Sequence, residues 1–130
     1  MRDKCPLHSG FVSLFVLSAS AIMADLKIWD DDLHKSYTGV SNRQILENFR
    51  RINTLGIPIL ARTPIIPEIP QGIPQIYAFL RELDNVKQYE ILPYHPLGEA
   101  KRRALGLPGT TFTVPSKDYM KELEKYVFLR

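Results

Sequence analysis

The sequence has very few of the residues that build covalent or metal-bound frameworks. Among its 130 residues there is one cysteine, Cys5. A disulfide within the chain is therefore excluded, as is any site that takes several thiolates from this chain. So few cysteines are typical of a reducing compartment, and we expect a cytoplasmic location.

Long apolar segments are also lacking. The apolar stretch within residues 11–24 is shorter than the roughly 20 residues that span a bilayer, so no membrane association is expected. Arg2 and Lys4 ahead of this stretch allow a secretory signal peptide. The strand-like segment at residues 22–27 favours the alternative, an unmatched leader over 1–20 ahead of one domain over 21–130.

Excess charge of one sign is small, with a formal net charge of +3 and a pI near 9.1. The basic clusters are Arg50-Arg51 and residues 101–103. No aromatic platform is interleaved with either cluster, so we interpret both as solvated helix faces. No nucleic-acid partner is expected.

From residue 21 onward, short apolar runs alternate with segments of helical period, which is typical of βαβ units in a parallel sheet. Strands are predicted at 21–28, 57–62 and 89–92. Helices are predicted at 42–55, from 74, at 99–105 and from 116, with a short turn or helix at 30–34. The fold class is therefore α/β.

The segment 42–55 is the most completely specified helix. Ser41 and Gln44 have the spacing of a capping box, and Gly56 suits a left-handed C-terminal cap. Its apolar face is Ile45, Phe49 and Ile52. In the last helix, Ser116 is the expected N-cap.

Prolines dominate the segment after the second strand, at positions 64, 67, 70 and 74. Fixed φ angles and missing donors argue against a helix or a central strand there and predict a stiff loop. Pro74 is expected to open the next helix. The buried face of that helix is expected to be Ile76, Phe79, Leu80 and Leu83.

Charged or titratable side chains follow all three predicted strands. Asp25 and Lys27 end the first, Arg62 the second and His95 the third. Carboxyl ends of parallel strands meet at one edge, where ligands bind. Taken singly, each has a plainer interpretation: charges where the sheet meets water, Arg62 in a structural ion pair, His95 as a loop histidine. Their convergence favours a site.

Several strings then resemble glycyl-radical-enzyme activating enzymes, of the pyruvate formate-lyase activating enzyme-like, radical S-adenosylmethionine family. They match in order and spacing over residues 21–106, a stretch that corresponds to the C-terminal part of the family. The strings are Asp25-Leu26-Lys27-Ile28, the segments at 34–42 and 45–48, Arg62-Thr63-Pro64-Ile65-Ile66-Pro67, and Leu92-Pro93-Tyr94-His95-Pro96-Leu97-Gly98.

The resemblance implies a partial (β/α) barrel with parallel strands and flanking helices, here a fragment of one. It implies S-adenosylmethionine and a [4Fe-4S] cluster as cofactors. Reductive cleavage of the sulfonium would give a 5′-deoxyadenosyl radical that abstracts hydrogen from a glycine of a partner glycyl-radical enzyme. A flavodoxin-type reductant is implied for the full-length family.

Matched residue by residue, the resemblance implies a cofactor-binding set. Lys27 would hold the methionyl carboxylate, and Asp25, with Leu26 between them, would help to bind a monovalent cation. His95 would contact S-adenosylmethionine, and Arg62 would line the same cavity.

Departures from the family pattern are as informative as the matches. The CxxxCxxC motif that ligates the cluster is absent from this sequence, as is the Gly-Gly-Glu segment. Glu68 stands where the family often has glycine. We therefore expect a truncated chain that does not ligate the cluster, is inactive alone, and is marginally stable or oligomeric because strand edges stay unpaired.

Two other functions stay open from the sequence. One is a non-catalytic fragment that binds S-adenosylmethionine or another protein. The other is a barrel enzyme with Lys27 as a Schiff-base nucleophile, which needs an apolar lysine site. Asp25 beside Lys27 disfavours the neutral amine that this reaction requires.

Overall fold

The computed structural model describes residues 21–95 and 112–130. Along the chain, the strands are β1 (Ile22–Asp25), β2 (Ile59–Ile65), β3 (Val86–Pro93) and β4 (Phe128–Leu129). The α-helices are α1 (Asp31–Thr38), α2 (Arg43–Thr54), α3 (Ile73–Arg81) and α4 (Lys117–Leu123), and a 3₁₀ turn follows at Glu124–Tyr126. The predicted helix at 99–105 lies outside the described residues.

The four strands form one sheet in the order β1-β2-β3-β4. β1, β2 and β3 are parallel, and β4 adds an antiparallel strand beside β3. The α/β class with a largely parallel sheet and flanking helices is therefore confirmed. The short β4 was not predicted, because two residues carry no periodic signal.

One face of the sheet carries the core. Along β2 every odd-numbered residue from 59 to 65 is buried, and the even-numbered residues are only partly buried. On the buried side, residues of α2 and α3 pack against the strands, and apolar residues of α4 lie against the same cluster. The largest fully buried members are Tyr89, Phe49, Leu26, Ile59, Ile65, Ile76, Leu80 and Val86.

The opposite face is open within the described part of the chain. Met23 is 56% exposed and Leu92 36% exposed, and Leu60 on β2 is only partly buried. The apolar residues of α2, α3 and α4 that contact the core all do so on the other side. The described helices therefore all cover one face of the sheet, an arrangement consistent with part of a barrel.

The helix at 42–55 was predicted correctly, but its capping box was wrong. The N-cap is Asn42, and its side chain makes no capping bond. The Ser41 hydroxyl donates to Asp31 Oδ1 at 2.8 Å, while Gln44 donates to Asn48. Ser41 Oγ still accepts locally from Arg43 N at 3.0 Å, but the return bond from Gln44 is absent, and a carboxylate ten residues earlier takes the hydroxyl proton. Gly56 has φ +77°, as a left-handed terminus requires.

The prediction that Pro64 excludes a central strand was also wrong. β2 is central and continues through Pro64 to Ile65. Arg62 O accepts from Leu26 N, so the backbone N–H and C=O groups of the even-numbered residues of β2 point toward β1. β1 has ended by the level of Pro64, so the absent N–H has no strand partner to lose.

The first strand is half as long as predicted: β1 ends at Asp25, so Lys27 lies beyond the strand and not within it. Most other element predictions hold with small shifts. Pro74 lies in the first turn of α3. Ile76, Phe79 and Leu80 are buried as expected, with Leu83 partly buried. Ser116 Oγ accepts from Tyr119 N at the start of α4. β3 is longer than predicted at both ends.

Candidate functional site

The carboxyl ends of β1, β2 and β3 lie at one edge of the sheet because the three strands are parallel. Asp25 is the last residue of β1, and His95 follows the last residue of β3 by two. Arg62 lies three residues before the end of β2, so the predicted strand end at Arg62 was wrong. This edge holds the candidate side chains.

Asp25 and Arg62 form an ion pair. They are in register across β1 and β2, and Arg62 Nε donates to Asp25 Oδ1 at 3.1 Å. The two side chains are 38% and 30% exposed, and both belong to the open face of the sheet. Glu90 is in register with Arg62 on the other side. Arg62 thus pairs with another candidate residue and lies between two carboxylate-bearing strands.

Leu26 anchors the chain just beyond β1. Its side chain is fully buried, and its N–H donates to Arg62 O at 3.0 Å. Its carbonyl accepts from Thr63 Oγ1 at 2.6 Å, and Thr63 in turn accepts from the Tyr89 hydroxyl at 2.8 Å. Burial raises the pKa of Tyr89 to about 12, so this hydroxyl stays protonated. Leu26 contributes position rather than polar chemistry.

Lys27 is exposed and takes part in no ion pair within residues 21–95 and 112–130. It stands between two buried residues, Leu26 and Ile28. Among the described residues its ammonium is therefore an uncompensated cation on a fixed backbone, next to the compensated Asp25–Arg62 pair. The exposure of Lys27 gives no support to the Schiff-base hypothesis, which needs apolar surroundings.

His95 is exposed and directly follows Tyr94, whose backbone is hydrogen-bonded. The Tyr94 N–H donates to Ile65 O at 3.2 Å, which ties the end of β3 to the end of β2. The Tyr94 ring lies 5.8 Å from Phe112, and Phe112 lies 6.2 Å from Tyr37 of α1. An aromatic rim thus borders the edge near His95. Pro96 onward to residue 111 lies outside the described residues.

Sequence reasoning missed the buried polar residues that hold this edge together. They are His34, Asn42, Thr63 and Gln71. Asn42 Nδ2 donates to the carbonyls of Ile28 and Trp29, and His34 Nδ1 lies 2.7 Å from Val40 O. Each bonds mainly to backbone that is distant in the sequence or irregular, so no local motif marks it.

Acidic residues near the edge serve the fold. The pKa of Asp31 is lowered by the N–H of Asn42 and the hydroxyl of Ser41. The pKa of Glu68 is lowered by its bonds to Thr113, so this departure from the family pattern ties the proline-rich loop to the chain before α4. No group of three metal-ligating side chains occurs among the described residues.

No helix in the described part of the chain is both long and apolar enough to cross a membrane. No family model matches the sequence.

Comparison with curated proteins finds related activating enzymes. The chain is 35% identical over 111 residues to "Pyruvate formate-lyase-activating enzyme" of Staphylococcus epidermidis, covering 82% of this chain and 44% of that protein. It is 46% identical over 85 residues to "Isethionate sulfite-lyase activating enzyme" of Nitratidesulfovibrio vulgaris, covering 62% of this chain and 27% of that protein. The chain therefore spans less than half the length of these relatives.

A solved structure shares the fold. The crystal structure of a domain of pyruvate-formate lyase-activating enzyme from Bacteroides vulgatus matches with a TM-score of 0.70 at 22% identity, covering 90% of this chain and 66% of that one. Together the matches confirm the resemblance first seen in the short strings: the chain is a relative of the pyruvate formate-lyase-activating enzymes, along less than half of their length.

Proposed function

We propose that this chain is the S-adenosylmethionine-binding, later part of a glycyl-radical-enzyme activating enzyme, and that it does not ligate the iron–sulfur cluster itself. The observation that carries the proposal is the Lys27 ammonium at the carboxyl edge of the sheet, beside the Asp25–Arg62 pair and without an ion-pair partner in the part of the chain that the structure describes. An exposed cation on a fixed backbone suits the carboxylate of an amino-acid-like ligand.

The charges at this edge support S-adenosylmethionine as the ligand. Lys27 would bind the methionyl carboxylate, and Asp25 supplies carboxylate oxygens of the kind that hold a monovalent cation. Arg62 holds Asp25 in place through the 3.1 Å bond. His95 would approach the ligand from the end of β3. When bound with a cluster, S-adenosylmethionine supplies the 5′-deoxyadenosyl radical in the full-length family.

The residues do not fit a [4Fe-4S] cluster. Cluster iron is held mainly by thiolates, and the sequence has one cysteine. We therefore derive no radical step for this chain alone. The glycyl-radical partner and a flavodoxin-type reductant belong to this proposal as partners of the complete enzyme, which would need a cluster-bearing part from elsewhere.

Calorimetric titration with S-adenosylmethionine tests the ligand site. We expect Lys27→Ala to weaken binding roughly tenfold, the size of one charge-assisted hydrogen bond. Methylthioadenosine lacks the carboxylate, so its affinity should be unchanged by the same substitution. Lys121→Ala, which removes an exposed lysine on α4, is the matched control and should bind like the wild type.

The site proposal fails if the wild type gives no binding, or if Lys27→Ala and Lys121→Ala bind equally well. A second measurement tests the cluster proposal. Reconstitution with iron and sulfide should give no stable cluster and no 5′-deoxyadenosine. A bound cubane cluster with turnover would show that the chain is a competent activating enzyme.

The open face of the sheet supports the alternative of a protein-interaction fragment. Met23, Leu60 and Leu92 give this face an apolar character without a covering helix among the described residues. If the titration detects no S-adenosylmethionine, pull-down by a purified glycyl-radical enzyme, weakened by Leu92→Lys, would favour that function.

A further inference from the structure

Gln71 is a buried amide whose two donors and carbonyl oxygen are all hydrogen-bonded. It is 4% exposed, and Nε2 donates to Lys27 O at 3.0 Å and to Pro64 O at 2.7 Å. Its Oε1 accepts from Ile66 N at 2.9 Å. One side chain thus joins the segment after β1 to the end of β2.

The backbone of Gln71 strengthens the same link. Trp29 N donates to Gln71 O at 2.9 Å, so both the side chain and the main chain of this residue contact the segment 27–29. That segment lies outside the sheet, because β1 ends at Asp25. Asn42 binds the carbonyls of Ile28 and Trp29, while Gln71 binds the Lys27 carbonyl and the Trp29 amide.

The consequence falls on Lys27. Its neighbours Leu26 and Ile28 are buried and its carbonyl is bound, so the position of its Cα is determined while its side chain stays free. Gln71 also binds the carbonyl of Pro64, two residues beyond Arg62. The amide therefore sets how far the Lys27 backbone lies from the strand that carries Arg62.

We propose that Gln71 is the positioning residue for Lys27 in ligand binding: it does not touch the ligand but holds the lysine where the carboxylate is bound. This inference rests on the proposed function. A site loses affinity for its ligand when the residues that support a binding side chain are removed, because a small displacement of that side chain disrupts a charge-assisted hydrogen bond.

The test is calorimetry on the full chain with two ligands. Gln71→Met keeps the size of the side chain and removes both donors and the acceptor. It should weaken S-adenosylmethionine binding roughly tenfold and leave methylthioadenosine binding unchanged. In combination with Lys27→Ala, it should add no further loss for S-adenosylmethionine. Gln71→Asn, a milder change, should give the same pattern with a smaller loss.

Two control variants separate positioning from stability. Gln75→Met changes an exposed glutamine on α3, four residues after Gln71, and should bind like the wild type. Asn53→Ala removes the acceptor of the 2.8 Å bond from Asn85 N, ahead of β3 and at the other end of the sheet. It should destabilise the fold without changing the ratio of the two affinities.

Equal losses for both ligands, unchanged affinity in Gln71→Met, or the same selective loss in Asn53→Ala would each overturn the inference. Amide hydrogen exchange without ligand distinguishes it from the proposed function. Gln71→Met should speed exchange at Ile66, whose N–H loses its acceptor Oε1, while leaving Asn85 unchanged. If that occurs but the wild type binds no S-adenosylmethionine, the ligand site fails while the structural link stands. Unchanged exchange at Ile66 refutes the link.

Discussion

The buried chain of hydrogen bonds from Tyr89 through Thr63 to Leu26 should dominate the stability of the site edge. Thr63→Val keeps the shape of the side chain but leaves two buried groups without this partner, the Leu26 carbonyl and the Tyr89 hydroxyl. At about 1–3 kcal/mol for each orphaned group, we expect a loss of roughly 3 kcal/mol in the free energy of unfolding.

Tyr89→Phe should cost less, about 1 kcal/mol, because Thr63 still donates to the Leu26 carbonyl. The double variant is the informative case. Once Thr63 is valine, the Tyr89 hydroxyl has lost its partner, so replacing it by phenylalanine should restore stability. We expect the double variant to be more stable than Thr63→Val by about 1 kcal/mol.

Urea unfolding followed by circular dichroism measures all four proteins of the cycle. Thr54→Val is the control, since the Thr54 hydroxyl donates to Arg50 O at an exposed position where water can replace it. It should change stability by less than about 0.5 kcal/mol. Additive losses in the double variant would refute the coupling, and with it the importance of this bonded chain for the segment that carries Lys27.

Three further predictions follow from single contacts. Burial raises the folded-state pKa of Tyr89 to about 12, above its usual value of 10. The contribution of the Tyr89 hydroxyl to the free energy of unfolding is therefore complete below pH 10 and falls as the pH rises toward 12, by up to about 1.4 kcal/mol per pH unit. Tyr89→Phe should lack that slope in urea titrations. Gly72→Ala should lower the free energy of unfolding by about 2 kcal/mol, because φ is +75° and the added Cβ would lie 2.9 Å from Trp29 Cβ. Gly39→Ala, at φ +83° but in open space, should lower it by about 1 kcal/mol; thermal unfolding measures both. Arg130→Lys should cost about 1 kcal/mol in the same assay, because the guanidinium donates to the carbonyls of Arg81, Leu83 and Val86, a fork that lysine cannot reproduce; Arg51→Lys is the exposed control.

Local signals in the sequence were sufficient for most helices. The apolar spacing of Ile45, Phe49 and Ile52 and the turn at Gly56 determine α2 because they act within one or two turns. The same local reasoning failed in part at Ser41, whose oxygen accepts from Arg43 N but whose hydroxyl donates to Asp31 across ten residues. A capping partner outside the local window cannot be found from spacing alone.

At the site, too, local patterns were predictable from the sequence and long-range contacts were not. The parallel order of β1, β2 and β3 follows from the βα pattern and brings the candidate residues to one edge, and Asp25 and Arg62 proved to be in contact. The shared role of Lys27 and His95 in binding a ligand stays a prediction. Gln71 could not be found from the sequence, because its three partners lie in segments that come together only after the strands pair.

The free edge of β1 leads to a prediction about association. Ile22 N and Leu26 N donate to carbonyls at or before Arg62, so in this parallel ladder the backbone groups of Met23 point away from β2. Within the described residues no strand covers that edge, whereas β4 covers the start of β3. We expect the isolated chain to self-associate in sedimentation velocity as its concentration rises.

Met23→Pro tests whether β1 is the surface responsible for that association. Proline at this position removes an outward-facing N–H and should therefore reduce association while the far-ultraviolet circular dichroism stays unchanged. Met23→Lys should act in the same direction by placing charge at the edge. A wild-type chain that stays monomeric and unfolds cooperatively would contradict the prediction. Undiminished association in both variants would place the contact elsewhere, with the open face around Leu60 and Leu92 as the next surface to change.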